Sequence, residues 1–241
     1  MTGDNAALRA RIESTVGADE TVWFRPDGYN SVALAIIDSI YSIGVRYGGV
    51  VKVVERYCDA RRQESGENWS ATATDLREAF DRWGGVDAFI EITNNHWRTS
   101  SAPGAPHKAE AVRQAAALLA DHGLETAEDI RVRFKSRESR VSADFVKAWK
   151  KIPGQRSGLS WNYFLMLVGL PGVKADRMIV RFVTDAVGRP VSPLEASALV
   201  EEVSQELDLN PTHVDHALWR FQSHREWIDD AANPAPETPH P

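Results

Sequence analysis

Residues Lys151–Arg181 read KIPGQRSGLSWNYFLMLVGLPGVKADRMIVR. Gly154 and Gly158 interrupt the chain just before the apolar run Leu159–Val168. Gly169 and Pro171-Gly172 interrupt it again before the run that starts at Asp176. Glycine and proline punctuate, and the apolar residues between them recur at helical rather than alternating spacing. The stretch therefore reads as helix, turn, helix, turn, helix. A turn that opens a helix leaves backbone amides without intrahelical partners, so Pro153-Gly154-Gln155-Arg156-Ser157-Gly158 can aim amides at a phosphate. Glycine suits such a turn because it accepts positive φ and lets another chain approach closely. The second turn delivers Asp176 to the start of the next helix. A carboxylate there can cap the helix amides, and it is equally a fixed carboxylate available for chemistry.

Helical periodicity continues in both directions. Ser31–Ser42 is apolar almost throughout, which predicts a helix buried on most sides. Val50–Arg61 is amphipathic, with Val50, Val51, Val53, Val54 and Tyr57 inward. Thr74–Trp83 has Thr74 as its expected cap and Gly84-Gly85 as its stop. Lys108–His122 closes at Gly123, and Thr126 opens a helix with Glu128 and Asp129 in its first turn. Ser142 is the expected cap of Ser142–Lys151. Leu159–Val168, Asp176–Val187, Pro193–Leu207 and Pro211–Ile228 complete the set, with Trp149, Trp219 and Trp227 as core residues and Trp161 and Tyr163 as helix-packing residues. Strand alternation is absent from the pattern. The reading is all-α, with ten or eleven helices and a proline-rich tail, Asn233–Pro241, expected to be disordered.

The 241 residues are 43% hydrophobic and 26% charged, an ordinary balance for a globular chain. No run approaches the roughly 18 apolar residues that span a bilayer. The start, MTGDNAALRARIESTVG, has no apolar signal core, so a cytoplasmic monomer with no membrane partner is expected. The lone cysteine, Cys58, excludes an intrachain disulfide, a multi-cysteine zinc site and a four-cysteine iron–sulfur cluster. Charge is unevenly distributed. Arg131–Arg189 holds 13 Lys and Arg against four acids, a local balance of +9 within a chain of net −6. Such asymmetry suits one face that meets a polyanion.

Pro153-Gly154 before an apolar helix, then an aspartate opening a helix that contains Arg181, resembles the helix-hairpin-helix, Gly/Pro-rich, aspartate pattern of base-excision DNA glycosylases. The endonuclease III-like and adenine-glycosylase branches are the nearest. The 23 positions from Pro153 to Asp176 match that family's hairpin-to-aspartate distance without a gap. Taking Leu170-Pro-Gly-Val173 as the hairpin instead would put the aspartate position near Ser192 and leave the site empty. His107-Lys-Ala-Glu-Ala-Val resembles the helix start that precedes the family's hairpin. Asp38–Ile43 falls where the family ends its first barrel helix. Val214–Phe221 resembles the late helix of the aspartate-bearing domain. The resemblance spans roughly residues 5–228.

It implies an all-α fold of two helical subdomains, a six-helix barrel and a domain formed by N- and C-terminal helices, with a DNA cleft between them. The implied bounds are 1–30 for an N-terminal helix joining the C-terminal subdomain, 31–169 for the barrel, 170–232 for the Asp-bearing subdomain and 233–241 for the tail. It also implies roles. Asp176 is the catalytic carboxylate. Pro153, Gly154, Gln155, Arg156, Ser157 and Gly158, with Lys150, Lys151 and Arg177, bind double-stranded DNA. Tyr41 and Ser42 fill the gap left by a flipped base, with Asn95 and His96 on a second probing loop.

The chain departs from the family in three places. Gly158 stands where bifunctional members carry a lysine nucleophile, leaving Lys174 as the alternative amine. The cluster cysteines are missing. Gln155-Arg156 replaces the usual apolar-glycine pair. The expected activity is therefore monofunctional hydrolysis of an N-glycosidic bond, without an iron–sulfur cluster or a metal at the reaction centre, a cation at the hairpin being the one ion left open. A catalytically silent DNA-binding protein and an α-helical interaction module are the alternatives.

Overall fold

The computed structural model describes residues 3–25, 28–45, 48–67, 69, 71–142 and 144–228. These residues are all-helical, with two isolated β-bridges and no strand among them. In chain order the helices are α1 (Gly3–Thr15), α2 (Val32–Tyr41), α3 (Gly48–Ser65), α4 (Ala73–Trp83), α5 (Val86–Thr93), α6 (Lys108–Asp121), α7 (Ala127–Arg133), α8 (Arg137–Ser142), α9 (Asp144–Lys151), α10 (Leu159–Leu167), α11 (Arg177–Val187), α12 (Pro193–Glu206) and α13 (Pro211–Gln222). No described helix is long and apolar enough to cross a membrane. The expected tail, Asn233–Pro241, lies outside the described residues.

Several boundaries differ from the sequence reading, each for a local reason. Thr72, not Thr74, caps α4: its hydroxyl accepts from Asp75 N at 3.1 Å and Asp75 Oδ2 accepts from Thr72 N at 3.1 Å, a reciprocal capping box. Thr74 instead binds Glu125 through its amide (2.8 Å) and hydroxyl (2.6 Å), pinning α4 to the segment before α7. Ser142 ends α8 rather than capping the next helix. Helix α5 is unannounced by periodicity because eight residues give barely two turns to read. Helix α13 stops at Gln222 rather than Ile228. His224 adopts φ +57, and the chain then runs back beside Trp23-Phe24, with Phe24 N donating to Trp227 O at 2.8 Å.

The chain forms two compact units. One joins the N-terminal segment to residues from Pro171 onward; the other is Gly28–Leu170. The larger unit is built around α2, all ten of whose residues are buried, with α3, α4, α6 and α10 packed on it. Some of its buried polar groups pair internally. Asp38 Oδ1 accepts from Ser42 Oγ at 2.7 Å and Oδ2 from Tyr29 OH at 3.1 Å. Aromatic rings fill the flanks: Phe80 stacks on Phe89 with centroids 4.4 Å apart, and Trp149, Trp161 and Phe164 form a mutual cluster.

The smaller unit packs α1, α11, α12 and α13 around Leu8, Ile12, Phe182, Val200, Val203 and Leu218. Trp23 closes that core, and its indole N–H donates to Val16 O at 2.9 Å. Trp219 and Trp227 are only partly buried and pack against it from outside.

Removing a wholly buried ring leaves a cavity that the helices refill only in part. Phe164→Ala is expected to lower the stability of the larger unit by about 3–5 kcal/mol in urea unfolding. Leu194→Ala, at a residue 79% exposed, is expected to change stability by less than about 0.5 kcal/mol.

Candidate nucleic-acid interface and carboxylate site

The hairpin belongs to the larger unit and consists of two successive turns between α9 and α10. Pro153 and Gly154 occupy its first corner, where Gln155 N donates to Ile152 O at 3.0 Å and Gly154 has φ +79. The second corner is closed by Gly158 N donating to Gln155 O at 3.0 Å, and Gly158, at φ +77, opens α10. The amides of Gly154, Arg156 and Ser157 meet no acceptor among the described residues. Lys150, Lys151 and Arg156 are exposed and have no carboxylate partner there. Free amides beside unpaired cations at a helix start form an anion-binding surface. The Gln155 side chain does not take part. It is 3% exposed and folds back so that Nε2 donates to Pro153 O at 3.0 Å, which corrects its expected DNA contact to a structural role.

One neighbouring loop dictates where glycine is needed. The 98–107 segment doubles back on itself, with Thr99 N donating to Pro106 O at 2.9 Å. It lies against the hairpin so closely that a Cβ on Gly154 would come 2.8 Å from Thr99 Cβ and 3.1 Å from Thr99 O. A Cβ on Gly158 would meet only the end of the Lys150 side chain, at 2.7 Å from Cε. The same loop is tied to the end of α2 through Lys108. That ammonium is buried and donates to Tyr41 O at 2.8 Å and Ile43 O at 2.6 Å, 5.7 Å from the centre of the Trp97 ring.

The structure thus brings the Tyr41–Ser42 segment, the Asn95–His96 segment and the hairpin to one end of the larger unit, but it alters their roles. Tyr41 is wholly buried, and burial pushes its phenol above the usual tyrosine range. A side chain that fills the gap in a base stack must stand in solvent, so the expected wedge at Tyr41 is corrected to a core residue. Asn95 is 8% exposed and its Oδ1 accepts from Trp97 N at 2.9 Å, which makes it a turn-forming residue instead of a probe. Ser42 is half-buried against Asp38, and His96 is exposed, its carbonyl facing His107 Nδ1 at 3.0 Å.

Asp176 belongs to the smaller unit and is the N-cap of α11. Its Oδ1 accepts from Met178 N at 2.7 Å and Ile179 N at 3.4 Å. Oδ2 accepts no hydrogen bond among the described residues, and the residue is half-buried. Capping therefore occupies one oxygen and leaves the other available. Arg177 beside it is exposed, while Arg181 reaches Gln222 Oε1 at 2.6 and 2.9 Å and ties α11 to the end of α13.

Asp215, on α13 between His213 and His216, interacts with Asp176, and the sequence reading did not assign it to the site. Burial first, then the Asp176 carboxylate, push its carboxyl well above the usual carboxylate range, with Lys174 opposing. The flanking histidines are occupied otherwise. His213 Nδ1 lies 3.2 Å from Glu20 Oε2, and His216 packs between Phe24 and Trp219, where burial lowers it to about 3. Cys58 is a buried free thiol that burial pushes up to about 11.

Alanine at position 154 must meet Thr99 backbone and adopt positive φ, whereas alanine at 158 meets only a flexible lysine tip. Gly154→Ala is expected to cost more stability than Gly158→Ala, about 2–3 against about 1 kcal/mol. Paired denaturation curves measure the difference.

No curated protein and no solved structure matches this chain. The model of one family, described as a domain of unknown function (DUF8548), matches residues 6–223. With a match over that much of its length, the chain belongs to the DUF8548 family.

Proposed function

We propose that this protein is a monofunctional DNA N-glycosylase, with Asp176 as its catalytic carboxylate and the 153–158 hairpin as a clamp on the phosphate backbone of double-stranded DNA. The observation that carries the reading is the half-buried Asp176 carboxylate, which caps a helix through one oxygen and keeps the second unbonded. An N-glycosidic bond breaks with positive charge building on the sugar. A fixed carboxylate stabilises that charge or takes the proton of an attacking water. The backbone amides at the start of α11 hold the Asp176 carboxylate in place for this work.

The hairpin supplies the second requirement. A base enters an enzyme pocket only after leaving the stack, at a cost of a few kcal/mol, and the duplex must be gripped independently of sequence while that happens. Unbonded amides at Gly154, Arg156 and Ser157, with the exposed Lys150, Lys151 and Arg156, suit that grip. The target is a damaged or modified base, and water, rather than an amine at position 158, is the nucleophile.

Incubation with duplexes carrying a panel of damaged and modified bases, followed by alkaline cleavage at abasic sites, tests the reading. Base release is expected from at least one duplex. Asp176→Asn is expected to lower it on the order of 10²-fold or more while binding to an abasic-analogue duplex survives. Full activity in that variant would remove Asp176 from the mechanism, and no duplex binding at low salt would remove the nucleic-acid reading altogether. Lys151→Ala with Arg156→Ala is expected to reduce the slope of log affinity against log salt by about two.

A further inference from the structure

Asp176 is delivered by a loop that α13 holds in place. Thr212 Oγ1 accepts from Gly172 N at 3.0 Å and donates to Gly172 O at 3.3 Å. Three residues on along α13, Asp215 Oδ1 accepts from Lys174 N at 2.9 Å. Lys174 O in turn accepts from Asp176 N at 2.6 Å. A bonded path therefore runs from the Asp215 carboxyl through the Lys174 backbone to Asp176. Asp215 is 6% exposed and makes no ion pair among the described residues.

An ionised carboxylate so placed loses most of its hydration and gains one neutral amide in exchange. It also faces the charge of Asp176, and two neighbouring carboxylates do not readily ionise together. We propose that Asp215 is a positioning residue for Asp176: its Oδ1 anchors the 171–176 loop, and its carboxyl stays protonated so that the pair carries a single negative charge, on Asp176. This rests on the reading of Asp176 as the reactive carboxylate. Its consequence is that the unbonded Asp176 oxygen keeps its full charge for the sugar instead of sharing a proton equally with a twin.

The surrounding charges agree with that assignment. Lys174, from the loop, is the cation that acts on Asp215, and Asp176, at the start of α11, is the anion. Along the same helix His213 is engaged by Glu20, and His216 is neutral among aromatic rings. From α12, Glu202 and Glu206 are engaged by Asn5 of α1. From α11, Arg177 is exposed and Arg181 is held by Gln222. The Asp215 carboxyl is raised, so the folded chain binds a proton that the unfolded chain releases at ordinary aspartate pH. Its contribution to stability is therefore complete in acid and declines as pH rises from the ordinary aspartate value toward the folded one.

Carboxyl carbon NMR of the full-length, aspartate-labelled protein across the acid to mildly alkaline range provides the test, alongside Asp215→Asn, Asp215→Ala and Asp176→Asn. One aspartate signal, missing in Asp215→Asn, should stay protonated above the usual range, and in Asp176→Asn its titration should move down. Asp215→Asn keeps the acceptor and cannot ionise, so it should melt higher than the parent at neutral pH, with a flatter dependence on pH. Asp215→Ala should speed hydrogen exchange at Lys174 N at least ~10-fold, while Asp215→Asn preserves its protection. On any substrate found, Asp215→Ala should lower kcat with little change in KM. If every aspartate titrates in the ordinary range, or Asp176→Asn leaves the high signal unmoved, the proposal is wrong. The NMR and exchange readouts need no base release, so they stand or fall separately from the glycosylase reading.

Discussion

All ten residues of helix α2 are buried, and the larger unit is arranged to make that possible. Ten buried residues bring hydrophobic stabilisation from every side, but they also carry the helix's terminal carbonyls away from solvent. Those carbonyls need donors. Lys108 reaches Tyr41 O and Ile43 O with its ammonium, and its own amide is held by Trp97 O at 2.8 Å. The cap therefore fixes the loop that precedes α6. Trp97 lies so close to α3 that only glycine fits at position 49, where a Cβ would come 2.5 Å from the ring. The same loop carries Thr99 against the hairpin and makes Gly154 a steric necessity. A requirement at the end of one buried helix thus propagates, contact by contact, to the turn that leaves the amides of Gly154, Arg156 and Ser157 unbonded.

In the smaller unit the organising constraint is electrostatic. Two aspartates lie at the junction of α11 and α13, and their surroundings differ. Asp176 caps the N-terminus of α11, where the amides of Met178 and Ile179 donate to its Oδ1. Asp215 is buried, beside that anion, with a single backbone donor. The fold gives two chemically identical side chains different surroundings: one caps a helix and keeps an oxygen unbonded, the other is buried on a single backbone amide.

The elements most legible from sequence are those whose boundary signals are strong. Leu159–Val168 and the Asp176-led helix lie within a residue of their observed bounds because Gly158, Gly169 and Asp176 mark them. The all-helical class was readable for the same reason. Competition between nearby signals was not: Thr72 and Thr74 are both plausible caps, and the choice rests on Glu125, 51 residues away, which takes Thr74. Site residues divide in the same way. The glycines of the hairpin announce their conformations. Tyr41 and Asn95 do not announce their burial, since a hydroxyl or an amide side chain is as compatible with a probe as with a packed turn. Lys108 and Asp215 escaped as functional supports because charged side chains are so rarely buried that sequence gives no warning when one is.

What the sequence by itself determined is the local programme: which segments are helical, where glycine and proline break them, and that an aspartate opens the helix after the second turn. Those properties depend on residues within a few positions of one another, so the order of the chain carries them. What only the tertiary structure decided is which polar groups lose their water and which partners they receive in exchange. Burial of Lys108, Tyr41 and Asp215, the fit of Gly154 against Thr99, and the single free oxygen of Asp176 all arise from contacts between distant segments. Desolvation and hydrogen bonding in those contacts set protonation and shape, and a linear pattern does not record them.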